Sequence, residues 1–191
     1  MEHTLFRWIN NLTVHTTWAN GIVRFYAETG IVVFAVLLVA TYLHARAKDD
    51  RQGLAIAIWA GGAALVAMGV GQLIGSSVDR ARPYDALANV HVLVSRTTDF
   101  SFPSDHATVA GAVAAGILLS NRRWGMVAAV AAVLMAFSRV YVGAHYPGDV
   151  LAGLALGAAV AIVGLFVVVP ALRKILVRLA SGSLRKLLTA N

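Results

Sequence analysis

The chain has no cysteine, which excludes disulfides, thiolate nucleophiles and thiolate metal sites. Charge is scarce as well: 13% of the 191 residues are charged against 59% hydrophobic. With a mean hydropathy of +0.73, that composition lies outside the range of soluble domains, and the core must have lipid as most of its solvent. An early apolar h-region and an Ala-x-Ala site are also missing. Met1 to Asn20 holds Glu2, Arg7 and polar Asn and Thr residues instead, so no cleaved signal peptide is expected. No internal repeat, low-complexity stretch or second domain is visible.

Acidic residues are few, nine against sixteen Lys and Arg, for a formal charge of +7. A basic balance can signal nucleic acid, but these cations sit in short clusters beside apolar runs. Membrane orientation and anionic headgroups account for that placement, and nucleic-acid binding is not expected.

Five stretches approach the ~20 apolar residues that a helix needs to cross a bilayer. They are Gly21 to Arg46, Leu54 to Val78, Asp105 to Ser120, Trp124 to Val142, and Gly148 to Val169, the third being short and the last ending at Pro170. Small residues such as Gly111, Gly116, Gly153 and Gly157 permit close helix contact. Met1 to Asn20 spaces Leu5, Phe6, Trp8, Ile9 and Leu12 like an amphipathic interfacial helix, or a short buried or re-entrant piece. Residues 171–191 read as a basic amphipathic tail carrying Arg173, Lys174, Arg178, Arg185 and Lys186. The expected fold is an all-α polytopic membrane bundle of about five or six spanning helices, formed by residues 1–170 as one domain.

Alternating the five spans sends Arg46, Lys48, Arg51, Arg122, Arg123 and the tail cations to one side, ten of the sixteen Lys and Arg. Positive charge accumulates in short cytoplasmic loops. The opposite side, expected to be extracytoplasmic, receives Arg82-Pro83, Ser104 to His106, Ser138-Arg139, and His145 with Asp149. Hydropathy alone thus gathers polar residues from nearly seventy positions onto one face.

These residue types suit phosphoryl chemistry. Arginines offer paired donors to phosphate oxygens, and serine hydroxyls or helix-opening N–H groups add neutral ones. Arg82, Arg139, Ser104 and Ser138 are the candidate cradle, with Ser104 at the N-cap of the third span. A histidine can attack phosphorus if a carboxylate orients its ring, and a second can protonate the leaving oxygen. His145 with Asp149 one helical turn on suits the first role, and His106 the second. Singly, each residue has an ordinary reading: helix cap, snorkelling arginine, first-turn acid, packed histidine. Jointly, Ser-Arg-x5-His-x3-Asp arises by chance in about one chain in a thousand of this length, at ~1 in 20 per position. His3, His15, His44 and His91 lack any such pattern and read as packed or interfacial.

The strings Arg82-Pro83-Tyr84, Ser101-Phe102-Pro103-Ser104-Asp105-His106 and Phe137 through Leu151 resemble the signature of the type 2 phosphatidic acid phosphatase superfamily. That signature is Lys-x6-Arg-Pro, Pro-Ser-x-His and Ser-Arg-x5-His-x3-Asp. Within the superfamily, the chain is most similar to the bacitracin-resistance branch of undecaprenyl-diphosphatases, from about Leu5 through the last span. The resemblance implies that His145 is the nucleophile, Asp149 its orienting partner, His106 the general acid, and Arg82, Ser104 and Arg139 phosphate ligands. It also implies no metal or other cofactor, a polyprenyl diphosphate in the bilayer as substrate, and a bacterial plasma membrane as the site of action. Other members act on phosphatidate or phosphatidylglycerophosphate, and a non-catalytic lipid carrier on the same scaffold is the alternative from a different class.

The chain departs from the signature where the first motif's lysine falls on Gly75, a loss that the bacitracin-resistance branch also tolerates. Arg80 could supply the missing charge, or could pair with Asp79. Asp105 replaces a common glycine and should repel phosphate unless it pairs with an arginine or turns away. Glu28, an acid within a span, is either on the ligand side or a paired structural group.

Overall fold

The computed structural model describes residues 1–179, so Arg185 and Lys186 of the expected tail lie outside the described residues. The nine helices among them are α1 (Glu2–His15), α2 (Thr17–Thr29), α3 (Ile31–Ala47), α4 (Arg51–Val78), α5 (Pro83–Ala86), α6 (Asp105–Ser120), α7 (Arg122–Tyr141), α8 (Pro147–Val167) and α9 (Val169–Leu179). Their ends follow local chemistry. The Asp50 side chain accepts from Gly53 N–H at 2.9 Å to start α4, and Asn121 Oδ1 accepts from Arg123 and Trp124 N–H to start α7. Pro147 fits the first turn of α8, where its missing N–H costs nothing.

Three helices, in the segments 51–86, 122–141 and 147–167, are long and apolar enough to cross a membrane. The single span expected over Gly21 to Arg46 is instead a broken pair, apolar enough only when taken together: α2 and α3 meet at Gly30 and bend by 57°. Met135 and the Tyr26 carbonyl crowd Gly30 so closely that a side chain there would collide. The bend separates polar α2, which carries Asn20, Arg24 and Glu28, from apolar α3. The expected third span, α6, is an apolar helix shorter than the three long ones, and it is the hub, packed against α8, α7, α4 and α3. Its Ala107, Ala110, Ala112, Ala114, Val113 and Ile117 are buried, while Leu65, Leu73, Val133, Val163 and Phe166 on its neighbours are exposed on the outside of the bundle.

Small residues on α6 and α8 let their backbones touch. A Cβ on Gly157 would run into the Thr108 carbonyl oxygen and meet Ala112 N at 2.6 Å. Because the obstacle is backbone, it cannot move aside cheaply. Gly157→Val should therefore lower the Tm of the detergent-solubilised protein, by overpacking worth about 1–3 kcal/mol. Gly69, in contrast, faces open space, so the small-residue pattern does not mark a contact at every position.

The N-terminal segment is two helices rather than one. In α1, Phe6, Asn10 and Thr13 form a buried stripe, while Leu5, Trp8 and Val14 are exposed. The helix docks on α7 and α8, and Asn10 Nδ2 donates to the His91 and Tyr141 carbonyls at 2.8 and 2.9 Å. At the far end, Val169 and Leu176 of α9 pack against Ala45, Leu54, Ala55 and Ile56, so the first part of the expected tail is anchored to the bundle.

Candidate active site

A cavity of about 370 Å³ opens at one end of the bundle. Arg82 reaches its wall from the turn after α4, Asp105 and His106 from the first turn of α6, Arg139 from the last turn of α7, and His145 from the turn between α7 and α8. Antiparallel helices joined in this order bring the end of one pass beside the start of the next, so motifs far apart in sequence share one cavity.

His145 is 2% exposed. Gly143, with φ +80°, turns the chain sharply after α7, a conformation that favours glycine. The ring is held on both sides: Nδ1 lies 2.8 Å from the Ser101 carbonyl oxygen and Nε2 3.1 Å from Arg82 Nη1. A carbonyl only accepts, so Nδ1 carries the proton and Nε2 keeps its lone pair. Burial, followed by the charges of Arg139 and Arg82, lowers the ring's pKa to about 4 against the pull of Asp149. At neutral pH the ring is thus an uncharged imidazole with its basic nitrogen free of a proton.

Arg82 is buried, with Nη1 donating to the Ala144 carbonyl at 3.1 Å and Nη2 to Asp99 Oδ1 at 3.0 Å. Arg139 donates from Nη1 to the Ala27 carbonyl at 2.9 Å, while its buried Nε has no partner among the described residues. Ser104 is the N-cap of α6, yet its hydroxyl makes no capping bond and is likewise unpartnered and fully buried. Unmet donors cost free energy unless a ligand satisfies them. Two such donors, one of them on an arginine that shares the cavity wall with both histidines, suit an oxyanion.

Asp149 is fully buried, and its carboxylate is not directly bonded to His145: Oδ2 stands 3.8 Å from Nδ1. It accepts instead from Ser101 Oγ at 2.5 Å and Tyr146 N–H at 2.9 Å, while Oδ1 takes Arg80 Nη1 at 2.8 Å. Asp149 is thus linked to His145 both by its charge at 3.8 Å and through Ser101, whose hydroxyl it holds and whose carbonyl holds the ring.

Three candidate phosphate ligands, Ser104, Arg80 and Ser138, are not on the cavity wall, and Ser104 lies fully buried behind it. Arg80 is off the cavity wall, spanning Asp149 and Glu2 and covering the Tyr146 ring at 4.1 Å; its partner is not Asp79. The Ser138 hydroxyl is buried and donates to the Met135 carbonyl at 2.8 Å, so it is spent within its own helix. Gly75 leaves no room for the signature lysine, since a Cβ there would lie 2.9 Å from the Phe102 carbonyl oxygen. Asp105 is on the wall but is paired with the Gln72 amide at 2.9–3.0 Å rather than with an arginine. Glu28 is on the wall and also paired, 3.2 Å from Arg24 Nε.

Sequence reasoning missed Asp99, Tyr84 and Thr97 on the wall and the role of Ser101. Burial opposes the charge on Asp99, but the Thr97 hydroxyl and Arg82 outweigh it and hold its carboxyl below the usual range. Its carboxylate occupies the edge of Arg82 that an anion would take. Nothing in the loop's composition marks it, whereas Ser101 at least adjoins the Pro-Ser-x-His string.

An all-helical membrane bundle with two histidines and two arginines around one cavity is the architecture of an integral-membrane phosphatase. The chain belongs to the PAP2 superfamily, whose model matches residues 56–173. It is 34% identical to the undecaprenyl-diphosphatase BcrC of Bacillus subtilis over 154 residues, 81% of this chain and 77% of that protein. It is 45% identical to a decaprenylphosphoryl-5-phosphoribose phosphatase of Mycobacterium tuberculosis over 103 residues, 53% of this chain and 55% of the relative. The crystal structure of Aquifex aeolicus LpxE shares the fold, with a TM-score of 0.64 at 23% identity over 86% of this chain and 94% of that one.

Proposed function

We propose that the protein hydrolyses a polyprenyl diphosphate, undecaprenyl diphosphate in a bacterial plasma membrane, to the monophosphate and inorganic phosphate at the extracytoplasmic face. The observation that carries this reading is the His145 ring, buried and neutral, with its unprotonated Nε2 directed at the Arg82 edge of the cavity. The relative that matches over most of the chain and is named for this activity supports it. The excess of Lys and Arg at the opposite end of the bundle supports the side.

In the first step His145 Nε2 attacks the terminal phosphorus, and the bond from that phosphorus to the bridging oxygen breaks. His106 supplies a proton to the departing polyprenyl monophosphate. Arg82, Arg139 and Ser104 meet the equatorial oxygens as charge shifts onto them. The ring, now carrying phosphate on Nε2 and hydrogen on Nδ1, is cationic, and the Asp149–Ser101 pair stabilises it. A water that gives its proton to His106 then attacks phosphorus, the P–N bond breaks, and phosphate leaves.

Substrate preference is tested by assaying the purified protein against undecaprenyl diphosphate, phosphatidate, phosphatidylglycerophosphate and a polyprenyl-phosphoryl sugar 5-phosphate, each with and without chelator. The diphosphate should give the highest kcat/KM, and chelator should change nothing. A preference for either glycerolipid monophosphate would reassign the substrate. Binding without phosphate release from any of the four would favour the lipid-carrier reading.

A further inference from the structure

The first turn of α1 reaches the segment that carries the nucleophile. Glu2 Oε2 is 2.8 Å from Arg80 Nη2, and Arg80 Nη1 is 2.8 Å from Asp149 Oδ1. Glu2 Oε1 also accepts from Gly148 N–H at 3.0 Å, and His3 stacks on Tyr146 with ring centroids 5.4 Å apart. Two direct contacts from adjacent residues, and a third relayed by Arg80, therefore bear on residues 146–149, immediately after His145.

The bonds continue inward. Arg80 fixes one oxygen of Asp149, Ser101 Oγ donates to the other, and the Ser101 carbonyl accepts a hydrogen bond from His145 Nδ1–H. Asp149 is fully buried, so its direction depends on these few partners. Arg80 alone could swing with its carboxylate, because one ion pair leaves the guanidinium free to turn. A second carboxylate, Glu2, gripped by both Nη1 and Nη2 at 3.4 and 2.8 Å, removes that freedom. The Arg80 bond, with burial opposing it, keeps Glu2 ionised by lowering its carboxyl pKa.

We propose that Glu2 is a positioning residue for His145, acting through Arg80, Asp149 and Ser101, so that docking of α1 on the bundle sets the nucleophile's aim. This rests on the assignment of His145 as nucleophile. It gives Arg80 a role other than binding phosphate, and it makes the amphipathic N-terminal helix part of the catalytic apparatus without touching substrate. Angular errors at a nucleophile slow the chemical step and leave ground-state binding largely intact.

The test compares the full-length protein in detergent with its Glu2→Ala, Glu2→Gln, Arg80→Lys and Glu2→Ala/Arg80→Lys variants, with geranylgeranyl diphosphate as the probe. Glu2→Ala should lower kcat about tenfold with KM within about twofold. Glu2→Gln, which keeps the reach and an acceptor oxygen, should lose less. The double variant should be no slower than Arg80→Lys alone, because both substitutions break one relay. Unchanged kcat in Glu2→Ala, losses that multiply in the double variant, or kcat that falls only in proportion to folded protein in each sample would each overturn the proposal. His145→Ala is run alongside: turnover surviving it removes the nucleophile itself, whereas a wild type that needs His145 and ignores Glu2 refutes the positioning role alone.

Discussion

His145→Ala should lower kcat on a polyprenyl diphosphate by about ten-thousand-fold, in line with the loss of a nucleophile that works as a unit with its partners. The phosphate cradle would persist, because Arg82 is fixed by the Ala144 and Asp99 carbonyls and the Asp99 carboxylate, and Arg139 by the Ala27 carbonyl. Lipid binding should therefore survive the substitution while the acid-labile phosphoenzyme disappears. The ring's protonation gives a second readout. With its pKa near 4, the proposed nucleophile is neutral at physiological pH and should be lost only as pH falls toward that value. In protein carrying labelled histidine, the NMR signals of His145 should stay those of the neutral Nδ1–H tautomer until pH approaches about 4. A ring titrating at the ordinary ~6.5 would show that burial and the two arginines do not govern it.

The gathering of Arg82, His106, Arg139 and His145 was legible because two independent signals agree on them. Their types and spacings are rare together, and the alternation of apolar runs sends them to the same end of the bundle. The bounds of α4, α6, α7 and α8 were legible for a related reason, since capping residues such as Asp50 and Asn121 act on their own backbone and local sequence contains the cause, whereas the one-turn α5 was not expected. The bend at Gly30 was not legible, since it depends on Met135 from a helix a hundred residues later. Arg80 and Ser138 show the same limit at the site. An arginine two positions before a phosphate-type arginine reads as a ligand until Glu2, distant in sequence, is seen to claim it. A serine beside Arg139 reads as a ligand until its own helix takes the hydroxyl. Asp99 carried no signal at all, because only the folded loop brings it to Arg82.

His106→Ala should separate the two chemical steps. In the proposed cycle, His106 first gives a proton to the leaving oxygen and then takes one from water, but the two steps do not need it equally. The leaving group of a diphosphate is itself a phosphate, far less basic than an alkoxide, and departs tolerably without an acid. Water is a poor nucleophile without a base in either case. Steady-state turnover should therefore fall about a hundred- to ten-thousand-fold, while phosphorylation of His145 slows much less. Mixing the variant with undecaprenyl diphosphate should release about one equivalent of monophosphate in a burst and leave labelled phosphate on the protein, stable to base and lost in acid. Phosphatidate, whose leaving group is an alkoxide, should give neither burst nor label, because the first step now also lacks its acid. His145→Ala gives no label with either substrate, so the pair of variants distinguishes a missing nucleophile from a missing base. If His106→Ala released phosphate at a steady rate without a burst, water activation would belong to another group, and Asp105, beside it on the same wall, would be the first to test.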